Sequence, residues 1–251
     1  MKRGEAAASG ISSAPWSIIE RTGSVRSLHG IAAGSRPRRE VRIMRPVAGA
    51  LVLGSGQRPG VVDAAVARRH GLMVVRRRSG GGVVLVSPAD LLWVDIVVPR
   101  DDPLWHPDVG AAFLWLGHLW RSVLAGCGIA AEVYEGRYEP GPWGSLVCFA
   151  GHGPGEVFVA GRKVVGLSQR RGRAAARFQC GLLRRWDPAS LAELLVLPAE
   201  RRRVLERDLA ACAAGLDVPE QRILNALVEA LRTVGSGDRP ISARSPPRTG
   251  S

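Results

Sequence analysis

Lysine is almost missing from this chain. Of its 35 basic residues only Lys2 and Lys163 are lysines and the rest are arginines, although the formal net charge is +13 over 251 residues. Long apolar runs are missing too. No window approaches 18 unbroken apolar residues, which excludes a transmembrane helix, and the first fifteen residues lack the apolar stretch of a secretory signal, so the expected location is the cytoplasm, with no membrane contact. Cysteine is sparse and irregular. Cys127, Cys148, Cys180 and Cys212 form no CxxC and have no histidine pair nearby, so neither a disulfide frame nor a protein metal site is expected. Two tyrosines and four phenylalanines leave few stacking platforms, and no helix-turn-helix or zinc-finger pattern occurs. A non-enzymatic nucleic-acid-binding protein therefore ranks low, despite the charge.

What is present fits a globular protein large enough to enclose a site, with 46% hydrophobic and 23% charged residues. Much of the charge lies at the flanks: residues 1–46 carry a net +6 and residues 235–251 a net +2. Inside the chain, 161–185 holds eight basic residues and no acid, and Arg76, Arg77 and Arg78 form a second cluster, a pattern that suits a compact anionic ligand. Residues 1–15 and 235–251, rich in Ser, Gly, Pro and Arg, are expected to be tails. Strand-like runs are predicted at 49–53, 72–77, 83–86, 92–98, 145–149, 156–159, 163–168 and 176–183. In the fourth, Trp93, Asp95 and Val97 point one way and Val94, Ile96 and Val98 the other. Helical spacing occurs at 61–69 and at 108–125, where Asp108 is the expected N-cap of a helix that packs on the sheet through Phe113, Leu116, Trp120, Val123 and Leu124. After 188 the strands stop, and helices are expected at 189–196 and 219–233.

Two stretches carry chemistry. In the first, Arg76 to Pro88, three consecutive glycines stand between strand-like segments. Glycines there cost backbone entropy and add no packing, which points to close approach of something to the backbone, and the arginines beside bare amides make an anion cradle. A flexible hairpin loop with solvated arginines is the alternative. In the second, Cys148 to Arg171, a chain that otherwise uses arginine keeps its one internal lysine, Lys163, in a GxKxxGxxQ pattern. A slender ammonium fits where a guanidinium fork does not.

Together these stretches resemble the lipoate-protein ligase catalytic domain, of the superfamily that includes biotin ligases and octanoyltransferases. The first is similar to that family's RRxSGGGAV motif and covers Arg76, Arg77, Ser79, Gly80, Gly81, Gly82, Val83, Val84 and the following Leu85. The second is similar to GxKxxGxAQ and covers Gly161, Lys163, Gly166, Ser168 and Gln169. The segment from Leu51 to Gln57 adds to the likeness, which runs from about 45 to 185. The resemblance implies an α/β fold of the α+β type, a mostly antiparallel sheet flanked by helices, with the catalytic domain over 16–187 and a short helical C-terminal segment over 188–234 in place of the accessory domain of longer ligases. It implies an enzyme that attaches lipoyl or octanoyl groups to a lysine of an acceptor protein. ATP, with Mg2+, would activate lipoate or octanoate as an acyl adenylate. The phosphate would sit on the Gly80–Gly82 amides and Arg77, Lys163 would bond the acyl and phosphate oxygens, and Val84, Trp93 and Phe149 would line the acyl slot. The implied acceptors are lipoyl domains of 2-oxoacid dehydrogenase complexes or the glycine cleavage H protein. Where the family commonly has His after the glycine motif, this chain has Val86. The second reading within the superfamily is an octanoyltransferase that takes octanoyl from acyl carrier protein. Cys148, 15 residues before Lys163, would then be the thioester nucleophile, assisted by His152. A catalytically silent relative that only carries an acyl adenylate is a further alternative.

Overall fold

A computed structural model describes residues 15–234. The tail readings over 1–15 and 235–251 therefore fall, Pro15 apart, outside the described residues. The elements in chain order are β1 (Ser17–Gly23), α1 (Val25–Gly30), β2 (Glu40–Pro46), β3 (Ala50–Leu53), α2 (Ala64–Arg69), β4 (Met73–Arg76), β5 (Val84–Val86), β6 (Leu91–Pro99), α3 (Leu114–Gly126), β7 (Glu132–Val133), β8 (Val157–Val159), β9 (Arg162–Arg171), β10 (Ala175–Leu183), α4 (Pro188–Glu193), α5 (Ala199–Cys212) and α6 (Glu220–Thr233). Seven strands form one sheet in the order β1-β2-β6-β10-β9-β8-β7, and β4-β3-β5 form a second. All pairs are antiparallel except β1 with β2 and β3 with β4.

The layering follows from which residues alternate and which do not. On β6 the expected facing holds: Leu92, Val94, Ile96 and Val98 join the cluster under α3 and α6, built around Leu116, Trp120, Val123, Ile223 and Leu227. Leu91 and Trp93 instead meet Ala50, Val52, Val75 and Val86 of the small sheet. The outer side of that sheet, through Leu51 and Leu53, packs on Ala67 of α2, Leu191 of α4 and Leu205 and Leu209 of α5. Strand β3 thus has an apolar neighbour on each face, which is why its sequence is an unbroken ALVL run. The result is helix, large sheet, small sheet, helix, with the inner gap between the two sheets left for a ligand.

Several local expectations are corrected. The 145–149 run is not a strand: it forms a turn and a 3-10 turn at Cys148–Ala150, bridged at Val147 to Val83 just before β5, and packs on β5 through Phe149. Apolar runs of this length do not distinguish a buried turn from a strand. The helix expected at 61–69 is broken at Asp63, whose carboxylate accepts from the amides of Ala65 and Val66 at 3.0 Å and so restarts the chain as α2. Asp108 is not the N-cap of α3: it accepts from the amide of Ala111 at 2.7 Å, while the 3-10 turn Ala111–Phe113 starts after Gly110 and α3 begins at Leu114 after Phe113. Strands β1 and β2 lie in an arginine-rich stretch with no strand expectation. The arginines there find partners: Arg39 forms a two-pronged pair with Asp102, at 2.7 and 2.9 Å, and Arg42 pairs with Glu40.

Candidate active site

The glycine loop joins β4 to β5 at the mouth of the gap. Arg77 is buried, and its guanidinium turns into the loop: Nη2 donates to the carbonyls of Gly80 and Gly82 at 2.6 and 2.9 Å, Nε to Gly80 at 3.2 Å and Nη1 to Val52 at 3.3 Å. Drawing these carbonyls inward leaves the amides of Gly80, Gly81 and Gly82 donating to no acceptor among the described residues. Gly81 has φ +97°, a left-handed conformation, and a Cβ on Gly54 would stand 1.9 Å from its carbonyl oxygen, so two backbones meet here with no room for a side chain. Arg77, expected on a phosphate, is thus a brace of the loop. The exposed Arg78 has no hydrogen-bond or ion-pair partner among the described residues.

A second segment clamps the loop from the other side. The amide of Val83 donates to Leu146 and that of Cys148 to Val83, while Gln57 Nε2 donates to the carbonyls of Ser145 and Leu146 at 3.0 Å. A Cβ on Gly82 would stand 2.6 Å from Val147 backbone atoms, so Gly82 serves close chain packing. Between loop and large sheet lies an open cleft lined by Val52, Val84, Val86, Leu91, Trp93, Cys148, Phe149, Gly166, Ser168, Gln179 and His29, among others. Gly166 and Gly181 are opposite each other on β9 and β10 and give the floor its depth. A neighbouring hollow shares Val84, Leu91 and Phe149 and extends along Val83, Leu85 and Trp186. Cys148 faces the cleft beside the loop, its Sγ 3.6 Å from the place of a Cβ on Gly81.

Lys163 is buried behind the Cys148–Phe149 wall. Its ammonium pairs with Glu156 and donates to the carbonyl of Cys148 at 3.1 Å, 5.9 Å from the Phe149 ring centre. Burial pushes the Glu156 carboxyl above its ordinary value, against the pull of Lys163 and of the amides of Gly153 and Leu167. Glu156 was not singled out from the sequence. The signal that would have found it is the two-residue turn at Ala160 and Gly161, both at positive φ, which folds β8 onto β9 and returns Glu156 toward Lys163. Gly161 itself sits at that exposed turn with nothing within 4 Å of a Cβ, outside the cleft lining. Gln169 is also placed elsewhere: it pairs with Phe178, which faces α3, and its Oε1 accepts from Arg171. The pleat gives the cleft to its neighbour Ser168 instead. His152 stacks on Phe158 and does not line the cleft.

A polar chain runs along one side. Ser79 donates to Gln179 Oε1 at 2.8 Å and lies 3.1 Å from the Ser168 hydroxyl, and Gln179 Nε2 meets His29 Nδ1 at 3.0 Å. His29, from α1, lies against Trp93 with ring centres 4.4 Å apart. Burial, then the charges of Arg177 and Arg77, lower its pKa from 6.5 to about 3, so the imidazole is neutral. Neither His29 nor Gln179 was legible as a site residue. Among the described residues no group of three or more His, Cys, Asp and Glu gathers to hold a metal, and no helix is long and apolar enough to cross a membrane.

The fold and the cleft are those of a catalytic domain of the lipoyl protein ligase A/B type. The chain belongs to the lipoyl protein ligase A/B catalytic domain family, whose family model matches residues 36–208, and it is an enzyme of that family. Among solved structures it is similar to a bi-partite lipoate protein ligase from Thermoplasma acidophilum, studied with its E2 lipoyl domain, at 19% identity and TM-score 0.69 over 85% of this chain and 81% of that one. A second Thermoplasma acidophilum chain, named for lipoate protein ligase and holding lipoic acid, matches at 21% identity and TM-score 0.65 over 84% and 80%. A lipoate-protein ligase A bound with ATP matches at 21% and 0.63 over 86% and 82%. No curated protein sequence matches this chain.

Proposed function

We propose that the protein attaches a lipoyl or octanoyl group to a lysine of a lipoyl domain through an acyl adenylate made from ATP. The observation that carries this reading is the set of amides at Gly80, Gly81 and Gly82 that donate to no acceptor among the described residues, in a loop whose carbonyls Arg77 holds and which adjoins an apolar cleft. Such amides bind the adenylate phosphate without a side chain to displace. Lys163 has three ammonium hydrogens, two of them engaged by Glu156 and the Cys148 carbonyl behind the Cys148–Phe149 wall of the cleft, and in this reading the third is assigned to the acyl oxygen. As the acceptor amine attacks, charge builds on that oxygen, and one preset donor of this kind lowers the barrier by about 3 kcal/mol. The cleft lining holds no carboxylate, so magnesium would enter on the nucleotide phosphates rather than on a protein cage. The solved relatives support the reading in kind: one carries ATP, one lipoic acid, and one works with an E2 lipoyl domain.

A second reading has a specific observation in its favour: the Cys148 thiol lines the cleft beside the glycine loop, where an acyl carbon would lie. In that reading octanoyl from acyl carrier protein passes to Cys148 as a thioester and then to the acceptor lysine. Incubation with lipoate or octanoate, ATP, magnesium and a lipoyl domain, followed by intact-mass measurement, tests the first reading. ATP-dependent acylation of the domain supports it, and acylation only from octanoyl carrier protein, without ATP, replaces it with the second.

A further inference from the structure

Most of the positive charge in the two motif stretches is consumed inside the fold. Arg76 and Arg77 hold main-chain carbonyls around the glycine loop, Arg171 holds those of His106, Pro107 and Asp108, and Arg177 holds those of Leu28, His29 and Ile31 while it pairs with Asp95. Lys163, Arg184 and Arg185 pair with Glu156, Glu220 and Asp90. Arg78, Arg162, Arg170 and Arg173 remain: each is exposed, and none has a side-chain hydrogen bond or ion pair among the described residues. Arg162 lies at the β8–β9 turn, at the far end of its strand. The other three gather where the glycine loop meets β9. Ser79, next to Arg78, has its hydroxyl 3.1 Å from that of Ser168. Arg170 follows Ser168 by two residues, so it shares the cleft-side face of β9 and stands about 7 Å further along the strand. Arg173, between β9 and β10, is up to about 17 Å from Ser168. Residues 76–89 and 161–185 contain no Asp or Glu, so this rim keeps its charge.

The spread of these arginines decides the partner. The phosphate chain of a nucleotide is compact and meets the loop amides, whereas exposed guanidinium groups strung along a rim match carboxylates spaced over a protein surface, where charge speeds encounter and fixes register. We propose that Arg78, Arg170 and Arg173 form the docking surface for the acceptor domain and bind carboxylates that flank its target lysine. The inference rests on the reading of the cleft as an acyl-transfer site and adds to it how the acceptor is held.

The test is steady-state acylation of a lipoyl domain by the full chain, with the domain concentration varied at saturating acid and ATP, and with acyl-adenylate formation measured separately without acceptor. Arg78→Glu combined with Arg170→Glu should raise the KM for the domain about tenfold or more, because attraction becomes like-charge repulsion. Arg173→Glu should raise it about threefold. Adenylate formation and the KM for ATP should change by less than about twofold in each. Arg162→Glu makes the same charge change at the far end of β9 and should leave the KM for the domain unaltered. Added salt should raise the wild-type KM for the domain and leave that of the double reversal nearly constant. A lipoyl domain whose acids beside the lysine are changed to amides should lose affinity for the wild type and lose little more with the double reversal. An unchanged KM for the domain in the double reversal, an equal rise in Arg162→Glu, or a loss confined to the KM for ATP, which assigns these arginines to the nucleotide phosphates, would overturn the inference and leave the acyl site standing. If the donor is octanoyl carrier protein rather than ATP, the same comparison is made with that donor. A wild type that acylates the domain from neither donor would overturn both readings.

Discussion

Lys163 donates from Nζ to the main-chain carbonyl of Cys148 at 3.1 Å, so the one internal lysine is tied to the backbone of the residue whose thiol faces the glycine loop. The two candidate chemistries of this family therefore share one wall of the cleft, and variants there separate them.

Lys163→Ala and Lys163→Arg should both abolish acyl transfer. The structure adds a stability effect. Removing the ammonium leaves the Glu156 carboxyl buried without its counter-charge, at a cost of about 3 kcal/mol or more. Thermal unfolding should reveal this loss in Lys163→Met. The double variant Lys163→Met with Glu156→Gln should recover most of the stability and none of the activity, which distinguishes a functional ammonium from a structural one.

At the glycine loop the neighbours predict opposite outcomes. Gly80→Ala meets nothing within 4 Å and should change stability by less than about 0.5 kcal/mol. Gly54→Ala drives a Cβ to 1.9 Å from the Gly81 carbonyl and should cost about 2 kcal/mol or more, with a displaced loop and weaker binding of a non-hydrolysable lipoyl-adenylate analogue. Unfolding curves and calorimetry on both variants check this, and equal behaviour would argue for a soft hairpin.

Acidification should weaken the fold through His29. Its ordinary pKa is 6.5 and its folded value about 3, so between those values the unfolded chain takes up a proton that the folded chain refuses. Stability from this group is complete above pH 6.5 and falls as the pH drops toward 3, by up to about 1.4 kcal/mol per pH unit. His29→Gln, which does not titrate, should show a flatter profile over that range when unfolding is followed against pH.

Much of the central sheet was legible because β6 is apolar at nearly every position over nine residues and β10 alternates Arg177 and Gln179 with Phe178 and Cys180. Strands β1 and β2 were hidden by arginines whose partners lie far along the chain, Asp102 for Arg39 and Glu220 for Arg45. The glycine triplet and Lys163 were readable because each breaks a local rule, entropy in one case and arginine usage in the other. Gln169 was assigned with its motif, but strand alternation turned it to the α3 face and gave the cleft to Ser168. His29 had no spacing signal, since only tertiary packing brings it to Gln179, whereas Glu156 meets Lys163 across the β8–β9 turn.

The most direct test of the central claim is a single-turnover mixture of the protein with lipoate or octanoate, magnesium and ATP labelled at the α-phosphate, with no acceptor present. The account predicts a labelled acyl adenylate that stays bound without covalent attachment, that forms equally in Cys148→Ser, and that disappears when a lipoyl domain is added. It would be contradicted by the absence of any acyl adenylate together with a hydroxylamine-sensitive octanoyl adduct on Cys148, formed from octanoyl carrier protein without ATP.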